Sequence, residues 1–267
     1  MTKTKLILLE GIPGSGKTTT SQLLYDHLKE QGIASNLYTE GCEHPIDLPF
    51  HAFLSLHEYH TLLGNYPEQT VWFKQHSIIE ADYVLVPYKT SELNPRNDEL
   101  VTFLSSREFC YTDKAAVPFD MFKKVFSKRF KQYVAEVLEN PILTIFESVL
   151  FQHQIHDINR MYPHVDENEI TEYIGELANI ISPLNPVLFY ISQTSVQESL
   201  EHTAHIRSKP HWSDPKTIEY YIKRKNLELQ AINRLPFRSF ILDNSDRNWD
   251  DMFERIKQVL SNAICKM

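Results

Sequence analysis

Short apolar runs and longer periodic stretches alternate along most of this chain. Leu6-Ile7-Leu8-Leu9 is a continuous apolar run, the pattern of a strand buried on both faces. Residues 19–28 follow with Leu23, Leu24, His27 and Leu28 near one face, which predicts a helix. Gly32 ends the turn, and Ser35-Asn36-Leu37-Tyr38-Thr39-Glu40 reads as a second strand. The clearest helical period lies between Phe119 and Leu138. There Phe122, Phe126, Phe130, Val134 and Val137 recur at spacings of three and four, which predicts a core-facing stripe. Pro141-Ile142-Leu143-Thr144-Ile145-Phe146-Glu147 reads as a third buried strand closed by a carboxylate.

The second half repeats the alternation. Asp166 with Glu169 is a capping pair opening a helix to about Ile181, and residues 186–191 form a fourth strand. Ser195-Val196-Gln197-Glu198 is a capping box for the next helix. Asp214-Pro215 places an N-cap before a first-turn proline, starting a helix to about Arg234. Phe237 to Leu242 is a fifth strand, and Asn248 to about Ala263 a closing helix. Strands alternating with helices predict an α/β fold, a parallel sheet with helices on both faces. Residues 41–115 break the rhythm with Pro45, Pro49, Pro67, Pro87 and Pro95, a candidate helix near 50–63 and the apolar run Tyr83-Val84-Leu85-Val86. They read as irregular and helical material over one side of the sheet, with an insertion around 83–112. The expectation is a single domain, 1–267, with a helical substrate cap over 41–115.

Composition narrows the class. A chain of 267 residues, 42% hydrophobic and 23% charged, can bury a sizeable core. Its net charge of −8 argues against general affinity for nucleic acid or anionic membrane. Cys42, Cys110 and Cys265 are far apart and form no C-x-x-C pair, so neither a zinc knuckle nor a disulfide framework is expected. Met1-Thr2-Lys3-Thr4-Lys5 runs straight into the first strand without the apolar stretch of a signal peptide, and a cytoplasmic setting is expected.

The chemistry concentrates in Gly11-Ile12-Pro13-Gly14-Ser15-Gly16-Lys17-Thr18, which fits G-x-x-x-x-G-K-[ST] between a strand and a helix. Three of the chain's seven glycines stand in this loop. Glycines let successive N–H groups turn toward phosphate oxygens, and the helix N-terminus adds its dipole. Residues 11–19, Thr19 included, are therefore read as a nucleotide phosphate site. Lys17 is expected on the β- and γ-phosphates, and the Thr18 hydroxyl on Mg²⁺.

With this loop on the first strand and a carboxylate after a later one, the chain resembles the small-molecule P-loop kinases. It is closest in plan to the thymidylate kinase and deoxynucleoside kinase group. The resemblance covers most of the chain as an order of elements, with the loop as its specific motif. It implies a five-stranded parallel sheet of order 2-3-1-4-5, ATP with Mg²⁺, and an acceptor over strands two and three. It also implies a charged lid between strands four and five, here residues 205–216. One position departs: Phe146-Glu147 is followed by Ser148, where those families usually carry an arginine after the acidic residue.

Glu147, ending a strand beside the first, is the candidate to assist Mg²⁺ next to Thr18. Glu40 ends strand two and faces the acceptor cleft in the expected order; by resemblance it is a candidate general base. Arg207, in lid position by resemblance, and Arg224 on the following helix are candidates to cover the transferring phosphoryl group. Gln152, just past Glu147, is placed to read a substrate amide or hydroxyl. The basic run Lys123, Lys124, Lys128, Arg129 and Lys131 reads as a solvated helix face, Arg129 alone having the alternative of turning inward toward an acceptor phosphate. The pairs His57/His60 and His153/His156 lack a third ligand at metal-binding spacing. The 244–248 segment lies near the adenine ring in the resembling kinases, through backbone contacts.

Together these imply an ATP-dependent kinase with a small-molecule acceptor, without nucleic acid or membrane. Kinases of this plan are often homodimers. Two alternatives stay open: a nucleotide-hydrolysing switch, although Asn-Lys-x-Asp is absent, and phosphorylation of polynucleotide ends, which the acidic balance disfavours.

Overall fold

The computed structural model describes residues 3–89 and 98–264. Two sheets organise it. The larger is built from β1 (Leu6–Glu10), β2 (Ser35–Tyr38), β6 (Leu143–Glu147), β7 (Val187–Ser192) and β8 (Arg238–Asp243). All five are parallel, in the order β2-β6-β1-β7-β8. Numbered over the whole chain, this differs from the expected 2-3-1-4-5. Three strands unread in the sequence, β3 (His51–Leu54), β4 (Ile78–Ile79) and β5 (Val84–Pro87), intervene between β2 and β6. The five strands read from sequence keep their mutual positions.

Alternation along the strands divides the apolar residues between two cores. Ile7, Leu9, Ile145, Val187 and Phe189 face α1 (Lys17–Glu30) and α10 (Trp249–Ile264) through Leu24, Leu28, Met252 and Ile256. Leu6, Leu8, Phe146, Leu188 and Tyr190 face the opposite core. That core holds α5 (Phe119–Glu139), α6 (Gln152–Met161), α7 (Glu167–Ile181) and α9 (Pro215–Ile232). Helices on both faces explain why the central strands are continuously apolar. The aromatic stripe of α5 is fully inside, with Phe122, Phe126 and Phe130 no more than 1% exposed. Each such burial stabilises by about 1.5–3 kcal/mol.

Residues 41–115 differ from the helical cap expected of them. Their centre is an antiparallel sheet of order β3-β5-β4, with α2 (Leu56–Asn65), α3 (Thr70–His76) and α4 (Asp98–Ser105) on one face. The other face joins the main core, where Phe53 stacks on Phe109 and Phe109 on Phe122. The candidate helix at 50–63 is really strand then helix, divided by Ser55, whose side chain caps α2 in a reciprocal box with Glu58. Residues 90–97 of this stretch, with Pro95, and Cys265 lie outside the described residues.

Capping decides several other boundaries. Asp166 accepts from the N–H groups of Asn168 and Glu169, and Ser195 from that of Glu198, which opens α8 (Val196–Ile206). Asp214 differs: its side chain makes no cap hydrogen bond, and Pro215 with its fixed φ starts α9 instead. Among the described residues no helix is long and apolar enough to cross a membrane.

Candidate active site

The glycine-rich loop leaves the C-terminal end of β1, flanked by β6 and β7, and turns directly into α1. Gly16 stands at the N-cap with φ 105°, a left-handed conformation that strains any residue with a Cβ. Space forbids a side chain as well: a Cβ there would lie 2.0 Å from the Trp249 ring. At Gly14 it would lie 2.0 Å from the Thr203 hydroxyl of α8. The loop is thus held between α8 and the start of α10. Gln193 donates to the Gly14 carbonyl (3.2 Å) and the buried Asn244 amide to that of Ser15 (3.0 Å). The 244–248 segment therefore holds the loop with a side chain, which the sequence reading did not single out.

Lys17 is buried and curls over the loop, its ammonium donating to the carbonyls of Gly11 (2.9 Å) and Ile12 (3.2 Å). Burial lowers its pKa, while the nearby charges of Glu147 and Glu40 oppose the shift. Thr18 donates its hydroxyl to Glu147 Oε1 at 2.6 Å. The parallel register that pairs Leu9 with Glu147 brings the carboxylate there. Ser21 Oγ lies 3.5 Å from the other carboxylate oxygen. Two hard oxygen donors side by side, a hydroxyl and a buried carboxylate, match the preference of Mg²⁺. Ile12, Pro13, Ser15 and Thr19 complete the loop and first turn.

Glu10, unnoticed in the sequence, ends β1 inside the protein. It accepts from the N–H groups of Leu150 (2.7 Å) and Gln152 (3.4 Å), tying the segment after β6 to the loop. Burial first, and Glu228 next, push its pKa up to about 7, against the backbone donor of Leu150. Gln152 opens α6, half-buried, with Ser148 donating to its side-chain oxygen at 3.4 Å. Ser148 adopts φ 69° in the sharp turn after β6.

The remaining candidates spread out. Glu40 is exposed in the turn after β2, within electrostatic reach of Lys17. Arg207 is exposed at the C-cap of α8, its guanidinium 5.6 Å from the centre of the Trp212 ring. Trp212 belongs to the 3-10 turn Pro210–Ser213 in the lid segment. Arg224 points into the core. It donates to Glu228 at 2.6 Å, Tyr190 donates to the other Glu228 oxygen at 2.6 Å, and the Arg224 Nη2 is buried without an acceptor. Burial alone lowers the Arg224 pKa, and Glu228, Tyr220 and Tyr221 together more than reverse this.

A buried polar group beside α6 also escaped sequence reasoning. Asp47 accepts from Tyr111 Oη at 2.6 Å and lies 3.3 Å from His153 Nδ1. Asp157 accepts the Tyr111 N–H at 3.2 Å, and burial pushes its pKa up to about 8. His44 Nδ1 accepts from the N–H groups of Ile46 and Asp47, and burial drives its pKa down to about 3. The histidine pairs separate: His57 and His60 are exposed, His153 meets Asp47, and His156 meets the Tyr220 hydroxyl. Among the described residues no group of three or more His, Cys, Asp or Glu is arranged to hold a metal.

A glycine-rich loop that leaves the central strand of a five-stranded parallel α/β sheet and turns straight into a helix is the arrangement of a phosphate-binding loop. The chain matches no protein-family model and no curated protein. Among solved structures it is similar to thymidylate kinase from Ehrlichia chaffeensis, at 15% identity and a TM-score of 0.45 over 97% of this chain and all of that one. The chemistry is accordingly drawn from this chain's own residues.

Proposed function

We propose that this protein is an ATP-dependent phosphotransferase acting on a hydroxyl or monophosphate of a small molecule, of which a nucleoside or nucleotide is the foremost class. One observation carries the reading: the Thr18 hydroxyl, in the first turn of α1, and the Glu147 carboxylate, at the end of β6, meet at 2.6 Å directly behind a glycine-rich loop bearing Lys17. Backbone N–H groups of residues 11–19, Pro13 excepted, bind the phosphates of ATP. Lys17 exchanges its loop carbonyls for phosphate oxygens. Thr18 and Glu147 hold Mg²⁺, which when bound offsets the charge of the phosphate oxygens.

The acceptor lies between Glu40, the 41–115 segment and the end of β6. Gln152 orients it and Glu40 takes the proton of an attacking hydroxyl. Arg207, on the lid segment, swings over the γ-phosphate and excludes water, so that phosphoryl passes to the acceptor. Positioning and charge neutralisation carry the rate, without a covalent protein intermediate. The test incubates the protein with γ-labelled ATP, Mg²⁺ and a panel of hydroxyl and monophosphate acceptors, with Lys17→Ala as control. Label in an acceptor, lost in Lys17→Ala, supports the reading and names the substrate. ATP consumed only to free phosphate, at one rate with every acceptor, would replace it with the hydrolysing-switch reading.

A further inference from the structure

A cavity of about 1060 Å³ opens between the segment after β2 and the inserted sheet. No residue of the 11–18 loop, α6, α8 or α9 lines it. Tyr38, Phe50 and Trp72 supply ring surface, and Arg129 and Lys89 supply positive charge; of the two carboxylates in the wall, Glu43 and Asp47, the second already accepts from Tyr111. The volume suits a ligand of drug or nucleotide size.

Arg129 is the informative wall residue. Three of its basic neighbours on α5 meet carboxylates: Lys123 meets Asp120 and Glu169, Lys124 meets Asp82, and Lys128 meets Glu80, while Lys131 is exposed to solvent. Arg129 forms no ion pair among the described residues. Its Nη2 donates to the Pro45 carbonyl, and its Nε is buried without an acceptor. Glu80 and Glu136 attract it without an ion pair. A half-buried guanidinium lacking a directly paired anion is costly, and its planar fork matches carboxylate or phosphate. Burial already pulls its pKa down. Lys89 lies over the Phe50 ring, 4.1 Å from its centre, and Phe50 holds φ 57°, an uncommon conformation for a bulky residue.

We propose that this cavity binds a small organic anion carrying a flat ring, its carboxylate or phosphate on Arg129 and Lys89 and its ring against Phe50 and Trp72. The cavity is lined by neither the glycine-rich loop nor Glu40, Gln152 or Glu147, but it lies in the 41–115 segment that bounds the proposed acceptor, so the proposal deepens that reading while its test, binding, does not require phosphoryl transfer.

Calorimetric titration with 1-naphthoate and 1-naphthyl phosphate, against 1-naphthol and inorganic phosphate, tests it. Each titration is run with and without saturating Mg²⁺ and a non-hydrolysable ATP analogue. Both naphthyl anions are expected to bind at least about tenfold more tightly than naphthol or phosphate, as a charge-assisted contact implies. Arg129→Gln should remove that preference, and Lys17→Ala should leave it intact. Because Arg129 also holds Pro45, melting curves accompany its variant. The exposed Lys89→Gln repeats the test, with a several-fold loss expected. Equal binding of naphthol and naphthoate would overturn the proposal. So would anion affinity unchanged in Lys89→Gln, or anions displaced by the ATP analogue. A protein that binds the anions yet fails to transfer phosphoryl leaves this site standing and removes only the kinase reading.

Discussion

Arg224 and Glu228 lie one turn apart on α9, 2% and 0% exposed. Their 2.6 Å contact, with Tyr190 on the second carboxylate oxygen, occupies both oxygens of Glu228. Glu228→Gln therefore strands a guanidinium in the core, and Arg224→Met strands a carboxylate. Removing one member of a buried pair costs about 3–5 kcal/mol. At about 2–4 °C per kcal/mol for a chain near this length, each single variant should lower Tm by roughly 6–20 °C. The double variant removes both charges and so should lose far less than the sum, within about 2 kcal/mol of the parent. Differential scanning calorimetry of the four proteins gives the coupling directly. Additive losses would refute the argument. A second refutation would come from Arg224→Met keeping its Tm while losing phosphoryl transfer, because that is the signature of a side chain acting on substrate.

Glu147→Gln should leave Tm within a few degrees and lower phosphoryl transfer at saturating ATP at least about a hundredfold, the scale for losing one preorganised charge; near-parental turnover would remove Glu147 from the site. Gly14→Ala should destabilise by about 1–2 kcal/mol for its left-handed conformation, plus the overlap with Thr203 Oγ1 at 2.0 Å. Adding Thr203→Ala should recover only the overlap, so full recovery in urea unfolding would deny the backbone strain. Glu10 titrates near 7 in the folded protein, above its ordinary 4.5. It therefore adds stability below about pH 4.5, and this is lost as pH rises through 7, on the order of 3 kcal/mol in all. Glu10→Gln should flatten that loss, read as the difference between parent and variant Tm from pH 5 to 8. Parallel curves would show Glu10 charged throughout. The difference is needed because His44, held neutral with its pKa at about 3, acts oppositely: its contribution is present above about 6.5 and fades as pH falls toward 3.

What could be read from sequence was local or periodic. Gly11 to Thr18 announces itself because the loop's chemistry demands fixed residue types at fixed spacing, and Glu147 followed because a polar residue ending an apolar strand is conspicuous. The Phe122-Phe126-Phe130 stripe fixed α5 through its period alone. The inserted sheet was illegible for the opposite reason. Its strands are two to four residues long, too short to show a period, and Pro87 ends one of them. Ser55 with Glu58 was the available signal, a capping box dividing strand from helix. α6 lacks a side-chain N-cap, and the polar His153, Gln154 and Asp157 buried along it obscure the short stripe of Ile155, Ile158 and Met161. Pairings such as Asp47 with His153, Glu10 with Leu150 and Tyr190 with Glu228 were beyond reach. They arise from topology that brings distant residues together, and each member alone is an ordinary polar residue.

The sheet order has a consequence for the making of the protein. β1 leaves the ribosome well before both its neighbours, β6 and β7, which come from residues 143–192. β2, the next strand translated, cannot pair with β1, because β6 belongs between them. The glycine-rich loop is thus synthesised early and assembled late, its carboxylate partner arriving 129 residues after Thr18. Through that interval β1 is an unpaired apolar strand. The inserted sheet, whose three strands pair among themselves, can close while the nascent chain still waits for β6.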